Sequence, residues 1–194
     1  MIESKYSHIV NDGMDITIAR TVPYTGKATI SRFKSTTDYT SANRRLMNLL
    51  LDSNLATGEI VQTADESFLC VVSRKEIVAG QEISIVAHGL MCNATLSVIQ
   101  FVETYDDEGN VNGSTPTTVI DAIPCRADKV NTRMRQEDPG LLSSTTMKVY
   151  AKYDSALKQL DKATIAEKNY QVDEIDLLEI PGGMVLQLSE WTGG

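Results

Sequence analysis

The sequence predicts a mainly β fold: a small β-barrel or β-sandwich with one main α-helix and long loops. Three observations predict it. Apolar residues recur at every second position over short runs, the signature of half-buried strands. Turn residues separate those runs at close intervals. Only one stretch carries helical spacing.

Residues 1–35 are polar and irregular and read as an N-terminal extension with a possible strand. That strand is Ile16-Thr17-Ile18-Ala19, which alternates and is bracketed by Gly13 and Pro23. The helix is expected next. Thr40 or Ser41 can cap it by accepting from exposed backbone N–H groups. Leu46, Leu49 and Leu50 then share a face, Met47 and Leu51 widen it, and Asn54 and Gly58 lie where a helix should stop.

From Gly58 the period changes to two, and residues 36–194 read as one β-rich domain. Strands are expected over 59–63 and 68–73, and the run Phe68-Leu69-Cys70-Val71-Val72 suggests burial on both faces. Ala79-Gly80 turns the chain into Ile83, Ile85 and Ala87. In the strand 94–102 the apolar set shifts from Ala94, Leu96 and Val98 to Ile99 and Phe101, which suggests a bulge. Residues 106–117 are the most polar segment, with Gly109-Asn110 and Asn112-Gly113 as hairpin-tip chemistry. An exposed loop or hairpin is therefore expected over about 103–119, returning as a strand at 119–124. Residues 127–145 read as a charged loop. Met147, Val149, Ala151 and Tyr153 then alternate with Lys148, Tyr150 and Lys152, predicting a half-buried strand with a basic-aromatic outer face. Short strands begin at Ile165, contain Tyr170 and Val172 on one face, and close with Met184 to Leu188 after the Pro181-Gly182-Gly183 turn.

The chain of 194 residues carries 18 basic and 26 acidic residues, a net charge of −8. An acidic chain is poorly suited to gripping nucleic acid, because phosphate binding is driven by Lys and Arg releasing counterions. No run is long and apolar enough for a spanning helix, and the N-terminus has no secretory pattern, so no membrane partner is expected. Three widely spaced cysteines, Cys70, Cys92 and Cys125, read as free thiols.

Catalytic chemistry finds little support. His88 and Cys92 are four apart, a spacing too long for joint chelation along a strand, and no C-x2-C or H-x3-H pair exists. There is no G-x-S-x-G elbow and no phosphate loop. The segment from Asp106 resembles a calcium loop, but its twelfth position is Thr117 and not glutamate. No catalytic, metal or cofactor site is expected, and the chain is read as a non-enzyme. The candidates for contact with partners are Asp106, Asp107 and Glu108 on the polar loop, and Arg133 and Arg135 in a cluster with Arg126 and Lys129. Trp191 joins them, either as an anchor on a partner or as a cap on the core.

Two passages carry a resemblance. One runs from Gly58-Glu59-Ile60-Val61 through a strand ending Val71-Val72-Ser73 to Met91-Cys92-Asn93-x-x-Leu96, with Ile123-Pro124-Cys125-Arg126 as a return strand. The other runs from Thr164-Ile165 through residues 170–176 to Pro181-Gly182-Gly183 and Met184 to Leu188. Over roughly residues 55–190 their order is similar to the head-to-tail connector, or head-closure, proteins of tailed bacteriophages. This chain departs from them in its long 106–117 loop and in Lys168-Asn169, where such proteins often place a glycine. The resemblance implies a structural virion protein assembled in the host cytoplasm. It would form a homo-oligomeric ring in the neck, bind portal or adaptor and tail proteins, and retain or pass DNA through its lumen without reading sequence. A hairpin such as 103–119 could reach a neighbouring ring by strand addition. Other structural or binding modules of a phage, for tail completion, the baseplate or capsid decoration, form the alternative.

Overall fold

The computed structural model describes residues 8, 9, 11–32 and 43–192. The fold is mainly β, with two six-stranded closed barrels. The chain divides into two compact units: residues up to Cys92 together with 177–183, and Asn93–Asp176 together with Met184 onward. This differs from one domain starting at residue 36.

The first unit holds β1 (Met14–Ala19), β2 (Tyr24–Arg32), β3 (Arg44–Leu49), β4 (Ile60–Gln62), β5 (Ser67–Val78) and β6 (Gln81–Met91). They close in the order β1-β2-β3-β6-β5-β4. The alternation read at 16–19 is real: Ile16 and Ile18 point inward, joined by Met47, Leu49, Phe68 and Ile85. Burying each such side chain contributes about 1.5–3 kcal/mol. Because β1 and β2 are staves of this barrel, residues 14–32 are not an appended extension. Phe68, Leu69 and Cys70 are fully buried, but the expected burial of both faces ends there: Val71 is half-buried and Val72 is 46% exposed, because β5 runs on into a ribbon past its last rung with β4.

The expected helix is absent from its place. Residues 44–49 form β3, which pairs with β2 (Ile30 opposite Met47) and with β6 (Met47 opposite Ala87). Its buried residues are Met47 and Leu49, two apart, while Leu46 is half-buried. Ladders on both sides satisfy the backbone while Met47 and Leu49 are buried, so tertiary pairing overrides local propensity. The cap expected at Thr40 or Ser41 lies outside the described residues. A 3-10 turn (Leu51–Ser53) follows and stops at Asn54, whose φ of 42° places it in the left-handed region.

The second unit holds β7 (Ala94–Tyr105), β8 (Val111–Lys129), a short helix α1 (Thr132–Glu137), β9 (Met147–Lys152), β10 (Lys162–Ile165), β11 (Lys168–Asp176) and β12 (Gly183–Glu190). The strands close in the order β10-β11-β12-β9-β8-β7. Leu96, Val98, Val149, Val172, Leu186 and Leu188 fill the interior. The β7–β8 register shifts between Leu96 and Val98 and again before Ile99, where the change in apolar phase placed a bulge.

The helix α1 falls in the segment read as a loop. Its cap is Asn131, whose side chain accepts from the Met134 N–H at 2.9 Å. This segment also corrects the outer face of β9. Lys148 is only 8% exposed, and its Nζ meets Asp138 Oδ2 at 2.9 Å. The basic face expected toward solvent is thus covered there by residues that follow α1.

Candidate interaction surface

β7 pairs with β10 only through Leu96 to Ile99, and β8 pairs with β9 only from Cys125 to Lys129. Beyond those rungs the two strands pair with each other alone, from Gln100 opposite Thr117 to Tyr105 opposite Val111. Among the described residues, the hairpin thus continues as a two-stranded arm that no other strand flanks. About seven residues at roughly 3.3 Å each give it a reach on the order of 20 Å.

The arm carries apolar side chains in solvent. Phe101 is 46% exposed, Val102 53%, Tyr105 59% and Val111 57%. Four large apolar residues left exposed along one ribbon mark an interaction surface more readily than scattered single ones do. A second arm extends from the first barrel, where β5 and β6 turn at Ala79-Gly80 and leave Ile77 64% exposed. Across that ribbon Lys75 Nζ meets Glu82 Oε2 at 2.7 Å.

The tip of the longer arm is built by Asp106. Its Oδ1 accepts from the N–H of Asn110 at 2.8 Å and of Glu108 at 3.0 Å, and Gly109 supplies a φ of 83°. The Asn110 N–H bond holds the Asp106 carboxyl below the usual carboxylate range. Asp106 therefore shapes the turn. The carboxylates of Asp107 and Glu108 stay exposed, with no side-chain partner among the described residues.

The other expected contact residues divide. Arg133 is exposed and pairs with Glu137 at 2.6 Å within α1. Arg135 reaches back to the carbonyls of Leu142 and Thr145 and so clamps the loop after α1. Arg126 is held by Asp128. Lys129, at the end of β8, is exposed and pairs with no described carboxylate. Trp191 is half-buried and stacks on Phe101 at the base of the arm, with ring centroids 6.0 Å apart. Lys162 Nζ lies 5.9 Å from the same ring, in cation–π range.

These placements create a feature that sequence spacing does not show. Lys129, Met147, Lys168, Glu190 and Trp191 line one cleft of about 510 Å³. Its basic residues come from β8 and β11, brought together by barrel closure. A second hollow of about 600 Å³ lies on the first barrel, lined by Asp15, Thr17, Lys27 and Gln62 among others.

The residues weighed for chemistry stay apart. Among the described residues no three His, Cys, Asp or Glu side chains gather as metal ligands. Cys70 is buried, and burial pushes its thiol up to about 12, away from nucleophilic use. Burial, together with the charges of Arg74 and Arg44, lowers the pKa of His88. No described helix is long and apolar enough to cross a membrane.

Asn93 explains why an asparagine stands in the Met-Cys-Asn-x-x-Leu passage. Its side-chain oxygen accepts from the Ala127 N–H at 2.8 Å, and its side-chain nitrogen donates to the Ala127 carbonyl at 2.9 Å. The amide thus mimics one more backbone rung at the start of β7. The return strand of the same passage pairs as expected, with Leu96 opposite Ile123 and Thr95 opposite Pro124. Neither models of known protein families nor characterised proteins match this chain.

Proposed function

We propose that this chain is a structural protein of a tailed-phage virion. In this reading it forms a homo-oligomeric ring at the head–tail interface, links portal to tail, and retains or passes DNA. The observation that carries the reading is the β7–β8 arm. It extends past the barrel's last shared rung and exposes Phe101, Val102, Tyr105 and Val111. An isolated two-stranded ribbon is marginal in water, and one with apolar side chains gains most from a partner. Part of the passage behind the connector resemblance adds to this, since the strand after Cys92-Asn93 and its return strand at 123–126 are neighbours in the second barrel.

The net charge of −8 fits a channel role. A negative lumen repels phosphate and lets DNA slide. The test is the mass of the purified protein alone and with portal or tail components, followed by electron microscopy of any assembly. A closed multi-copy ring, or addition to portal, is the expected result. A strict monomer that joins neither component overturns the reading.

A further inference from the structure

We infer that the acidic tip of the β7–β8 arm is the plug of a copy-to-copy contact, and that its socket is the cleft at Lys129, Lys168 and Trp191 on a second copy. The inference rests on the ring reading above and supplies its contact. A ring of more than two copies needs two different surfaces on each subunit, one meeting the other head to tail. This unit offers such a pair.

The charges are complementary. From Asn93 to Cys125 the hairpin contains Glu103, Asp106, Asp107, Glu108 and Asp121 and no Lys, Arg or His. The cleft presents Lys129 and Lys168, with Lys162 beside it over the Trp191 ring, against one lining carboxylate, Glu190. Neighbouring cations are satisfied at home: Arg126 by Asp128, Arg133 by Glu137, and Lys148 by Asp138. No ion pair among the described residues takes Lys129, Lys168, Asp107 or Glu108. With those pairs closed within a subunit, Lys129, Lys168, Asp107 and Glu108 are among the charges left to act between subunits.

The apolar parts match as well. Tyr105 and Val111, the rung beside the tip, are more than half exposed. Met147 and Trp191 supply apolar lining to the cleft. The outer β7 edge of the ribbon is open to an added strand, whereas β8 carries Pro116, which has no N–H to offer there; the tip beyond the ribbon is a turn with no strand edge to pair. The tip docks by side chains.

The test uses the full chain, alone or assembled on purified portal. A carbodiimide, which joins carboxylates to amines in contact, is followed by mass spectrometry of cross-linked multimers. Links between the 106–108 peptide and Lys129 or Lys168 of another copy are expected. Reversing the plug (Asp107→Lys with Glu108→Lys) or the socket (Lys129→Glu with Lys168→Glu) should lower multimer yield roughly tenfold or more, as desolvated charge pairs do at interfaces. The chain carrying all four substitutions should regain it. Circular dichroism on each variant checks that these exposed changes leave the fold intact. Rings that survive either reversal, cross-links only at other positions, or no recovery in the fourfold variant overturn the contact while leaving the ring reading standing. A monomer that joins no portal and gives no intermolecular link overturns both.

Discussion

Gly58 and Gly182 meet backbone to backbone. A Cβ on Gly58 would lie 2.7 Å from the Gly183 nitrogen and still closer to the Gly182 carbonyl, and one on Gly182 would lie 2.6 Å from the Thr57 carbonyl oxygen. Both residues have positive φ, 87° and 72°. The Gly58 N–H also donates to the Cys70 carbonyl at 2.7 Å, tying this approach to β5. Gly58→Ala should therefore cost about 3 kcal/mol or more, from left-handed strain added to a backbone clash. Urea unfolding measures it, and a midpoint equal to that of the parent chain would show that the loop at 177–183 does not hold its place against Gly58.

The paired hydrogen bonds between Asn93 and Ala127 predict a graded pair of variants. Asn93→Asp keeps the acceptor for the Ala127 N–H and loses the donor to its carbonyl, whereas Asn93→Ala loses both. Asn93 is exposed, so water replaces part of each bond. The alanine variant should lose about 1–2 kcal/mol and the aspartate variant about half of that. Equal losses in the two variants would mean that the acceptor half contributes nothing.

His88 gives the fold a pH dependence whose sign follows from burial. It lies in β6 between Leu46 of β3 and Val72 of β5, and its pKa sits below the ordinary 6.5 because burial, then Arg74 and Arg44, disfavour the imidazolium. The unfolded chain therefore binds a proton that the folded chain resists. Stability should be unaffected by this group above the unfolded value of 6.5 and should fall as pH drops below it. Denaturation midpoints at pH 7.5, 6.5 and 5.5 test this, with His88→Gln removing the loss between the last two. A parent chain and variant that decline in parallel would assign the loss to other groups.

The strands were readable because a period of two survives in the residues themselves: Ile16 and Ile18, Ile83 and Ile85, Tyr170 and Val172. Residues 44–51 were not. Leu46, Leu49 and Leu50 satisfy helical spacing while Met47 and Leu49 satisfy strand spacing, and the choice is made by β6, about 40 residues further along the chain. Alternation tells which side chains point inward but not which strand lies alongside, so closure into two barrels had no local signal. The tip of the arm was legible from Asp106 to Gly109, because turn chemistry is local. The cleft was not, since Lys129 and Lys168 are brought together only by the order of strands in the second barrel. Charge alone marks Arg135 as a contact residue, whereas its actual partners, the carbonyls of Leu142 and Thr145, carry no side-chain signature.

The turn from β10 to β11 contains a built-in penalty. Ile165 pairs with Lys168, so two residues, Ala166 and Glu167, make the whole loop. Their φ angles are 47° and 65°, both in the left-handed region. A two-residue hairpin of this kind matches the right-handed twist of its strands, and Asn-Gly fills it with least strain, whereas a Cβ-bearing residue costs about 1–2 kcal/mol there. Replacing Ala166-Glu167 with Asn-Gly should raise stability by about 1–2 kcal/mol, offset slightly by the greater freedom of glycine when unfolded. The gain should appear as a higher urea midpoint at unchanged slope, because the native ladder is already formed and only its strain is relieved. A lower midpoint would mean that contacts of the Glu167 side chain, exposed here, outweigh the relief of two unfavourable φ angles.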